Sequence, residues 1–345
     1  MFNKQITIGN NTIAPGQAYI IAEMACAHDG DFDNAKALID IAKTAGCDAV
    51  QFQLFDTDNN VVHSHKIYSL LKKIQFEKKQ WEDLLAYARD IDITVFACAY
   101  DKPSLDLAIE LEVDGIKFNS ADLNYAEMLE TVSKSGIPFT LGTGASTTQE
   151  IERALRIVRE HGGKDVVLMH GVQSFPTQVE NANISRIRSL VNTYDTLVGY
   201  ADHTSGDNPF SINIDLLALG AGACVFEKHY TLDRDMKATD YQASLNPEEL
   251  KEYVSQMHAA VQALGDGDLD RPHTQEELEY RTFQKKKIVA ARAIKKDQVI
   301  KREDLQLLRT EATKGCDASS LEKVVGKRAS EDIANQAVIN TEDIY

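Results

Sequence analysis

The amino-acid sequence predicts a (β/α)₈ barrel followed by a small β-rich domain. Three observations lead to this prediction: eight short apolar runs in the first three quarters of the chain, amphipathic helical stretches among them, and a change of composition after Leu264. The length of 345 residues suits one barrel, which takes about 250 residues, plus one small domain.

The eight strands are expected at residues 19–26, 49–54, 94–99, 115–119, 139–142, 166–171, 197–201 and 224–230. Between or after them, the helical periodicity is clearest at residues 34–45, 80–90, 150–160 and 247–264. This alternation is typical of parallel strands joined by crossover helices, and eight strands match a closed barrel. An open doubly wound sheet would show fewer strands and a glycine-rich phosphate loop after the first, and this sequence has neither.

The domain boundaries follow from composition. Residues 1–265 are expected to form the catalytic barrel, and residues 266–285 read as a linker because GDGDLDRPHTQEE is polar with Gly and Pro. Residues 286–345 contain short alternating strands, each followed by a charged turn. A module of about 60 residues is too small for much catalytic machinery, so we expect it to cover a site or join subunits.

The bulk charge excludes some classes of partner. The formal net charge of −16 and the pI near 5.0 make nucleic acid and anionic membranes poor partners, and an anionic substrate would need local cations or a metal. The five cysteines form no CxxC pair, which is typical of reduced thiols. With no signal peptide and no apolar run of membrane-spanning length, a cytoplasmic enzyme is expected.

The active site of a barrel of this class lies at the carboxyl ends of its strands. Polar residues at or near these predicted ends are candidates for the site: Glu23, His28, Gln51, Gln53, Lys117, Ser120, Asp122, His170, Gln173, Tyr200, Asp202, His203, Glu227, Lys228 and His229.

His203 and His229 lie at the ends of adjacent strands and can supply imidazole nitrogens to one divalent cation. The alternative is that both are ordinary polar residues facing loops. Glu23 lies inside the apolar run YIIAEMA, where a carboxylate must be paired, metal-bound or protonated. For Glu23 the alternative is a structural ion pair with Lys117 or Lys228.

Three segments carry a resemblance to a known family: IIAEMACAHDGDFDNAKALIDIAKTAGCDAVQFQ, GYADHTSG and GACVFEKHYTLD. Together they resemble the sialic acid synthase family, which condenses phosphoenolpyruvate with an N-acetylated sugar to a nine-carbon keto acid. The tail from IVAARAIKKDQVIKREDL to LEKVVGKRA is similar to the antifreeze-like (SAF) domain that ends those synthases. The resemblance covers essentially the whole chain.

The resemblance implies a role for individual residues. His203 and His229 match the family's metal ligands for Mn²⁺ or Mg²⁺, and Arg309 matches an arginine that enters the barrel of a partner subunit, which implies a domain-swapped homodimer. The residues expected to be catalytic are Glu23, Lys117 and Asp202. Those expected to bind phosphoenolpyruvate or the acylated sugar are Gln51, Gln53, Ser120, Asp122, Gln173, Lys228, Asp240, Ser244 and Arg309.

Departures from the family pattern are concentrated where the family binds phosphoenolpyruvate. Gln51 replaces a lysine, and other family residues of this region are replaced by Cys98, Gly142, Gln173 and Ala201. Losing a cation and several hydroxyl donors at once should cost several kcal/mol of anion binding, at roughly 1.5–3 kcal/mol for each charge-assisted hydrogen bond. Clustered changes of this kind suggest a changed small substrate.

Three hypotheses follow. The first is a metal-dependent synthase of the nonulosonic-acid type that uses phosphoenolpyruvate. The second keeps the barrel, the metal and the sugar pocket but drops phosphoenolpyruvate, giving a lyase, an isomerase or another metal enzyme on a related sugar. The third is a dimeric sugar-binding or scaffold protein without catalysis, and it ranks last because the histidine pair and Glu23 are present.

Overall fold

A computed structural model describes all residues, Met1–Tyr345. The chain forms two compact units, Met1–Asp266 and Gly267–Tyr345. None of its helices combines the length and the apolar character needed to cross a membrane.

The first unit is a closed barrel of eight parallel strands, which confirms the predicted fold class. Its strands are β3 (Tyr19–Glu23), β4 (Ala49–Leu54), β5 (Thr94–Ala99), β6 (Gly115–Phe118), β7 (Phe139–Gly142), β8 (Val166–His170), β9 (Leu197–Asp202) and β10 (Val225–His229). Each strand pairs with its sequence neighbours, and β10 closes the barrel by pairing with both β9 and β3. An antiparallel hairpin of β1 (Ile6–Ile8) and β2 (Asn11–Ile13), which the sequence analysis missed, precedes the barrel.

The first strand is shorter than predicted. It ends at Glu23 rather than at Cys26 because Ala25 has a positive φ of 48° and turns the chain away from the sheet. This turn brings the backbone N–H of Ala25 to the carboxylate of Glu23, at 2.7 Å from Oε1. The strand end is therefore shaped around the carboxylate.

Helices alternate with the strands on the outside of the barrel. They are α1 (Phe32–Ala45), α2 (Thr57–Asn60), α3 (Tyr68–Ile74), α4 (Lys78–Asp90), α5 (Lys102–Glu110), α6 (Ala126–Ser135), α7 (Thr148–Glu160), α8 (Ser185–Tyr194), α9 (Asn213–Gly220) and α10 (Pro247–Leu264). Local sequence fixes several ends: Asp31 caps α1, Gly46 ends it with φ of 85°, and capping boxes open α7 and α10.

Strand residues alternate between two apolar clusters. Ile21, Phe96, Met169 and Val225 belong to a small cluster inside the barrel. Their strand neighbours, such as Phe226, belong to the large cluster between strands and helices. Because side chains alternate along a strand, this pattern shows which positions of each strand face inward.

The second unit contains the antiparallel pair β11 (Lys287–Ala290) and β12 (Leu305–Leu308) and the short helix α12 (Leu321–Val324). Isolated bridges such as Ile294 with Ile333 complete it around a small apolar core. The segment 266–285, expected as a linker, includes the helix α11 (Gln275–Phe283), which a capping box of Thr274 and Glu277 opens.

Candidate active site

Strand ends from three sides of the barrel bring ionisable and amide side chains together. Glu23 ends β3, Gln51 and Gln53 lie on β4, and Lys117 lies on β6. On the other side, His203 follows β9, while Glu227 and His229 lie on β10. All seven residues are buried except Lys117, which is partly exposed.

Two histidines and one carboxylate form a compact set. One ligand atom from each of His203, Glu227 and His229 lies within 4.8 Å of the others. The two imidazole centroids are 5.3 Å apart. The three residues come from neighbouring parallel strands, so their separation is set by the barrel itself.

The histidines are neutral and oriented. Nδ1 of His203 lies 2.8 Å from the carbonyl oxygen of Val172, and since a carbonyl only accepts, Nδ1 carries the proton and Nε2 keeps its lone pair. Burial lowers the pKa of His203, and burial followed by His203 lowers the pKa of His229 well below its ordinary range. Nδ1 of His229 is buried without a hydrogen-bond partner.

This donor set fits a divalent metal ion. Neutral imidazole nitrogens and a carboxylate oxygen at this spacing are ligands that divalent transition-metal ions accept in proteins. A buried ring nitrogen without a partner costs free energy that a ligated cation would offset.

Lys117 joins the two carboxylates of the site. Its ammonium group hydrogen-bonds Glu227 and lies 3.6 Å from Oε2 of Glu23. The amide nitrogen of Gln51 donates to Glu23 and, at 3.2 Å, to Glu227. Gln53 donates to the other oxygen of Glu23 at 3.3 Å. Both carboxylates are therefore fully hydrogen-bonded without contact with solvent.

Burial and neighbouring charges together set the pKa values of Glu23 and Lys117. Burial raises the pKa of Glu23 to about 7, with Lys117 opposing and Glu227 reinforcing the rise. For Lys117, burial alone lowers the pKa, but Glu227 and Glu23 together raise it above its ordinary value. The lysine thus stays a cation at neutral pH, while Glu23 can hold or release a proton there.

A cavity opens next to the cluster. Its lining includes seven of the residues predicted to be catalytic or to bind substrate or metal, namely Gln53, Lys117, Ser120, Gln173, His203, His229 and Asp240. Lys117 is its only lysine or arginine. Tyr100, Asn119, Met169 and Phe175 also line it, together with the small residues Gly142, Gly171 and Ala201.

On one side of the cavity, the polar groups are hydrogen-bonded to one another. The hydroxyl of Ser120 accepts from the N–H of Gly144 at 3.1 Å and from the amide of Gln173 at 3.3 Å. A Cβ at Gly142 would lie 2.4 Å from that hydroxyl, so a serine could not be placed there without moving Ser120. Cys98 is fully buried, and burial raises the pKa of its thiol to about 12. Of the substituted residues, Gly142, Gln173 and Ala201 line the cavity and, with Ser120, form a neutral wall.

Sequence reasoning assigned no role to two residues of the site. Glu227 was noted only as a strand-end polar residue, although its spacing of two from His229 puts both on one face of β10. Phe175 lies in the loop after β8, half-exposed, with its ring centroid 4.2 Å from that of His203 and 6.1 Å from that of His229. Nothing in the local sequence marks Phe175 as a cover for the histidines.

Several predicted residues are not brought to this cluster. Asp202 and Lys228 point outward between strands and helices, where Lys228 contacts both Asp202 and Asp215 of α9. Ser244 is buried and donates to the backbone of Asp240 at 3.0 Å.

Two other predicted residues also lie outside the cavity lining. Asp122 is half-buried in the turn after β6, and burial followed by Asp101 raises its pKa to about 6. Arg309 belongs to the second unit, where it is exposed.

The chain is similar to several known proteins. Residues 38–269 match the model of the NeuB family. The chain is 31% identical to N,N'-diacetyllegionaminic acid synthase of Legionella pneumophila, over 92% of this chain and 91% of that protein. It is 30% identical to an uncharacterized protein of Methanocaldococcus jannaschii over 99% of both. A crystal structure of N-acetylneuraminic acid synthetase from Leptospira borgpetersenii in complex with citrate superposes with a TM-score of 0.75 and 34% identity, covering 80% of this chain and 96% of that one.

Proposed function

This chain belongs to the NeuB family of nonulosonic acid synthase-like enzymes, and from that premise we propose that it condenses phosphoenolpyruvate with an N-acylated hexose. The single observation that carries the proposal is the buried set of His203, Glu227 and His229 beside a cavity. In the proposed reaction a new carbon–carbon bond joins the donor to the aldehyde carbon of the sugar. One water is consumed and phosphate is released.

The proposal includes a divalent cation, Mn²⁺ or Mg²⁺, held by His203, His229 and Glu227. Bound there, the cation would supply Lewis acidity toward the sugar aldehyde. The identity of the ion is left to experiment because imidazole and carboxylate ligands suit several divalent metals.

Protein groups are proposed to orient the donor and handle protons. Glu23 is suited to proton transfer because its pKa lies near neutrality and its carboxylate is held by three donors. Lys117 is the cation that a donor carboxylate would meet in the cavity, next to Ser120. Gln53 and Asp240 line the cavity and are proposed to contact the sugar. Ser244 supports Asp240 by donating a hydrogen bond to its backbone carbonyl. Asp122 lies two residues after Ser120 in the sequence.

A second candidate keeps the metal and the sugar but does not use phosphoenolpyruvate. The neutral wall around Ser120, Gly142 and Gln173 favours it, because a phosphate group would find no free cation there and would compete with hydrogen bonds already made. A lyase or isomerase acting on a related sugar would fit this wall.

The decisive experiment incubates the purified full-length protein with phosphoenolpyruvate, N-acetylmannosamine or a related N-acylated hexose, and Mn²⁺. Phosphate release that depends on both sugar and metal supports the synthase. Tight Mn²⁺ binding without phosphate release for any sugar favours the second candidate, and no metal binding favours a non-catalytic role. His203→Ala should abolish turnover, whereas His161→Ala is a matched control because His161 lies at the end of α7 and bonds only Ile157 and Glu130.

We propose further that the second unit is an antifreeze-like (SAF) module and that the active form is a homodimer in which Arg309 of the partner subunit completes the sugar pocket. Mixing two inactive variants, His203→Ala and Arg309→Ala, tests this. Mixed dimers hold one intact pocket, so subunit exchange should restore about a quarter of wild-type activity. No recovery after verified exchange would contradict the arrangement.

The five cysteines are all unpaired and buried, which supports a cytoplasmic location.

A further inference from the structure

A sealed ionic cluster lies on the outer face of β9 and β10. The ammonium group of Lys228 donates to Oδ2 of Asp202 at 2.5 Å, to the carbonyl of Ser211 at 2.6 Å and to Oδ2 of Asp215 at 2.8 Å. The ring of Tyr253 on α10 lies 5.2 Å from the ammonium nitrogen. Since all three N–H groups of the lysine have acceptors, none is left for a substrate.

This cluster lies directly behind the two histidines. Lys228 and Asp202 are register partners in the barrel, and each immediately precedes a histidine, His229 and His203 respectively. Because neighbouring residues on a strand point to opposite faces, the ion pair outside and the histidines inside share the same stretch of backbone.

The ion pair also fixes the chain beyond the first histidine. Asp202 accepts from the N–H of Thr204 at 3.0 Å and from its hydroxyl at 2.7 Å. The carbonyl of His203 accepts from the N–H of Thr177 at 2.7 Å, and the ring is held by Val172. His203 is therefore constrained on both sides, and Lys228 connects this constraint to β10.

We infer that Lys228, through Asp202 and Asp215, is a positioning residue that holds His203 and His229 at the separation a shared divalent cation requires. The inference rests on the proposed metal site and goes beyond it by assigning its control to a residue that does not touch the cavity. Metal–ligand distances tolerate only about 0.2 Å, so a small displacement of one strand end is enough to weaken binding. Loss of an outer partner of a ligating histidine typically costs about 10- to 100-fold in metal affinity.

The test measures the Mn²⁺ affinity of the full-length protein from the EPR signal of free Mn²⁺. Lys228→Met should weaken binding about 10-fold, the lower end of that range, because Lys228 acts on the histidines through the strand backbone and not by a direct hydrogen bond. A matched control is Lys287→Met, because Lys287 is also a buried lysine, bonded to the carbonyls of Thr282 and Ala312 in the second unit. This control should lose stability without a change in Mn²⁺ affinity.

A second variant separates positioning from folding. In Asp202→Asn with Lys228→Met, the charge of one carboxylate is removed with that of the lysine, so the folded state should be less destabilised than in Lys228→Met alone. Its Mn²⁺ affinity should stay low, because the link between the strands is still missing. Wild-type affinity in either folded variant would overturn the inference. Failure of the wild type itself to bind Mn²⁺ would instead refute the proposed metal site.

Discussion

Two lysines, Lys117 of β6 inside the barrel and Lys228 of β10 outside it, each bridge two carboxylates. Inside, Lys117 contacts Glu227 and Glu23; outside, Lys228 contacts Asp202 and Asp215. In each triad burial raises the pKa of one carboxyl group to about 7, that of Glu23 inside and that of Asp215 outside.

The triads differ in what surrounds the lysine. Lys228 is 1% exposed with all its donors used, whereas Lys117 is 13% exposed and lines the cavity beside the histidines. The buried triad of Lys228 can thus only stabilise the fold, whereas the triad of Lys117, which borders the cavity, can also take part in a reaction. Activity and stability should therefore respond in opposite order to equivalent substitutions in the two triads.

The largest expected effect is on turnover in Lys117→Met. Removing the only lysine of the cavity leaves a donor carboxylate without its cation and frees Glu227 and Glu23 from their partner, so kcat/KM should fall roughly 10²- to 10³-fold. Steady-state kinetics with whichever substrate pair proves active would measure this. His161→Ala, at the end of α7 and outside the cavity lining, is the control that should retain full activity. A Lys117→Met enzyme with more than half of wild-type turnover would remove the distinction between the triads.

Stability should show the reverse order. Lys228→Met leaves two sealed carboxylates uncompensated and should cost about 3–5 kcal/mol of the free energy of unfolding. Lys117→Met should cost less, about 1–3 kcal/mol, because Ala25, Gln51 and Gln53 still donate to Glu23. Urea denaturation of both variants followed by circular dichroism measures the difference. Equal losses would mean that the inner triad is as structural as the outer one.

A smaller effect concerns pH. Asp215 has a pKa raised from 3.8 to about 7, first by burial and then by Asp202, with Lys228 opposing. A carboxyl group with a raised folded pKa keeps a proton that the unfolded chain has lost, so its contribution to stability is complete below 3.8 and is lost as pH rises toward 7. Glu23 contributes a decline of the same sign, so Asp215→Asn should make the loss of stability with rising pH shallower without abolishing it, whereas the exposed Asp106→Asn should leave it unchanged. The measurement is the urea midpoint of unfolding as a function of pH. Parallel curves for the wild type and Asp215→Asn would contradict the prediction.

Much of this contrast could be predicted from sequence alone. The eight apolar runs give the barrel, and counting back by two from His229 puts Glu227 inside and leaves Lys228 outside. The same count from His203 excludes Asp202 from the cavity. When all strand-end polar residues are grouped together, this alternation between inward-facing and outward-facing positions is lost.

Other features could not be read from the sequence. Asp215 lies 13 positions before Lys228 on another element, and only packing of α9 against the barrel brings them together. Likewise, Phe175 reaches His203 through the course of a loop, which has no periodic pattern to follow. The hydrogen bonds around Ser120 also require glycine at positions 142 and 144, because a Cβ there would collide with Ser120 or Gln173 in the folded barrel.

The smallest expected effect comes from adding a cation to the inner triad. The amide of Gln51 donates to both Glu23 and Glu227, so Gln51→Lys would place a second ammonium group between these carboxylates. The added charge should lower the pKa of Glu23 and leave Lys117 freer to meet an anion, tightening phosphoenolpyruvate and inorganic phosphate binding about 10-fold. Isothermal titration calorimetry with each anion measures this, and Gln51→Met controls for the loss of the amide without added charge. If Gln51→Lys binds phosphate no better than the wild type, the neutral wall rather than the missing cation limits anion binding. Anion binding beside Lys117 would then be determined by the shape of the cavity and not by its charge.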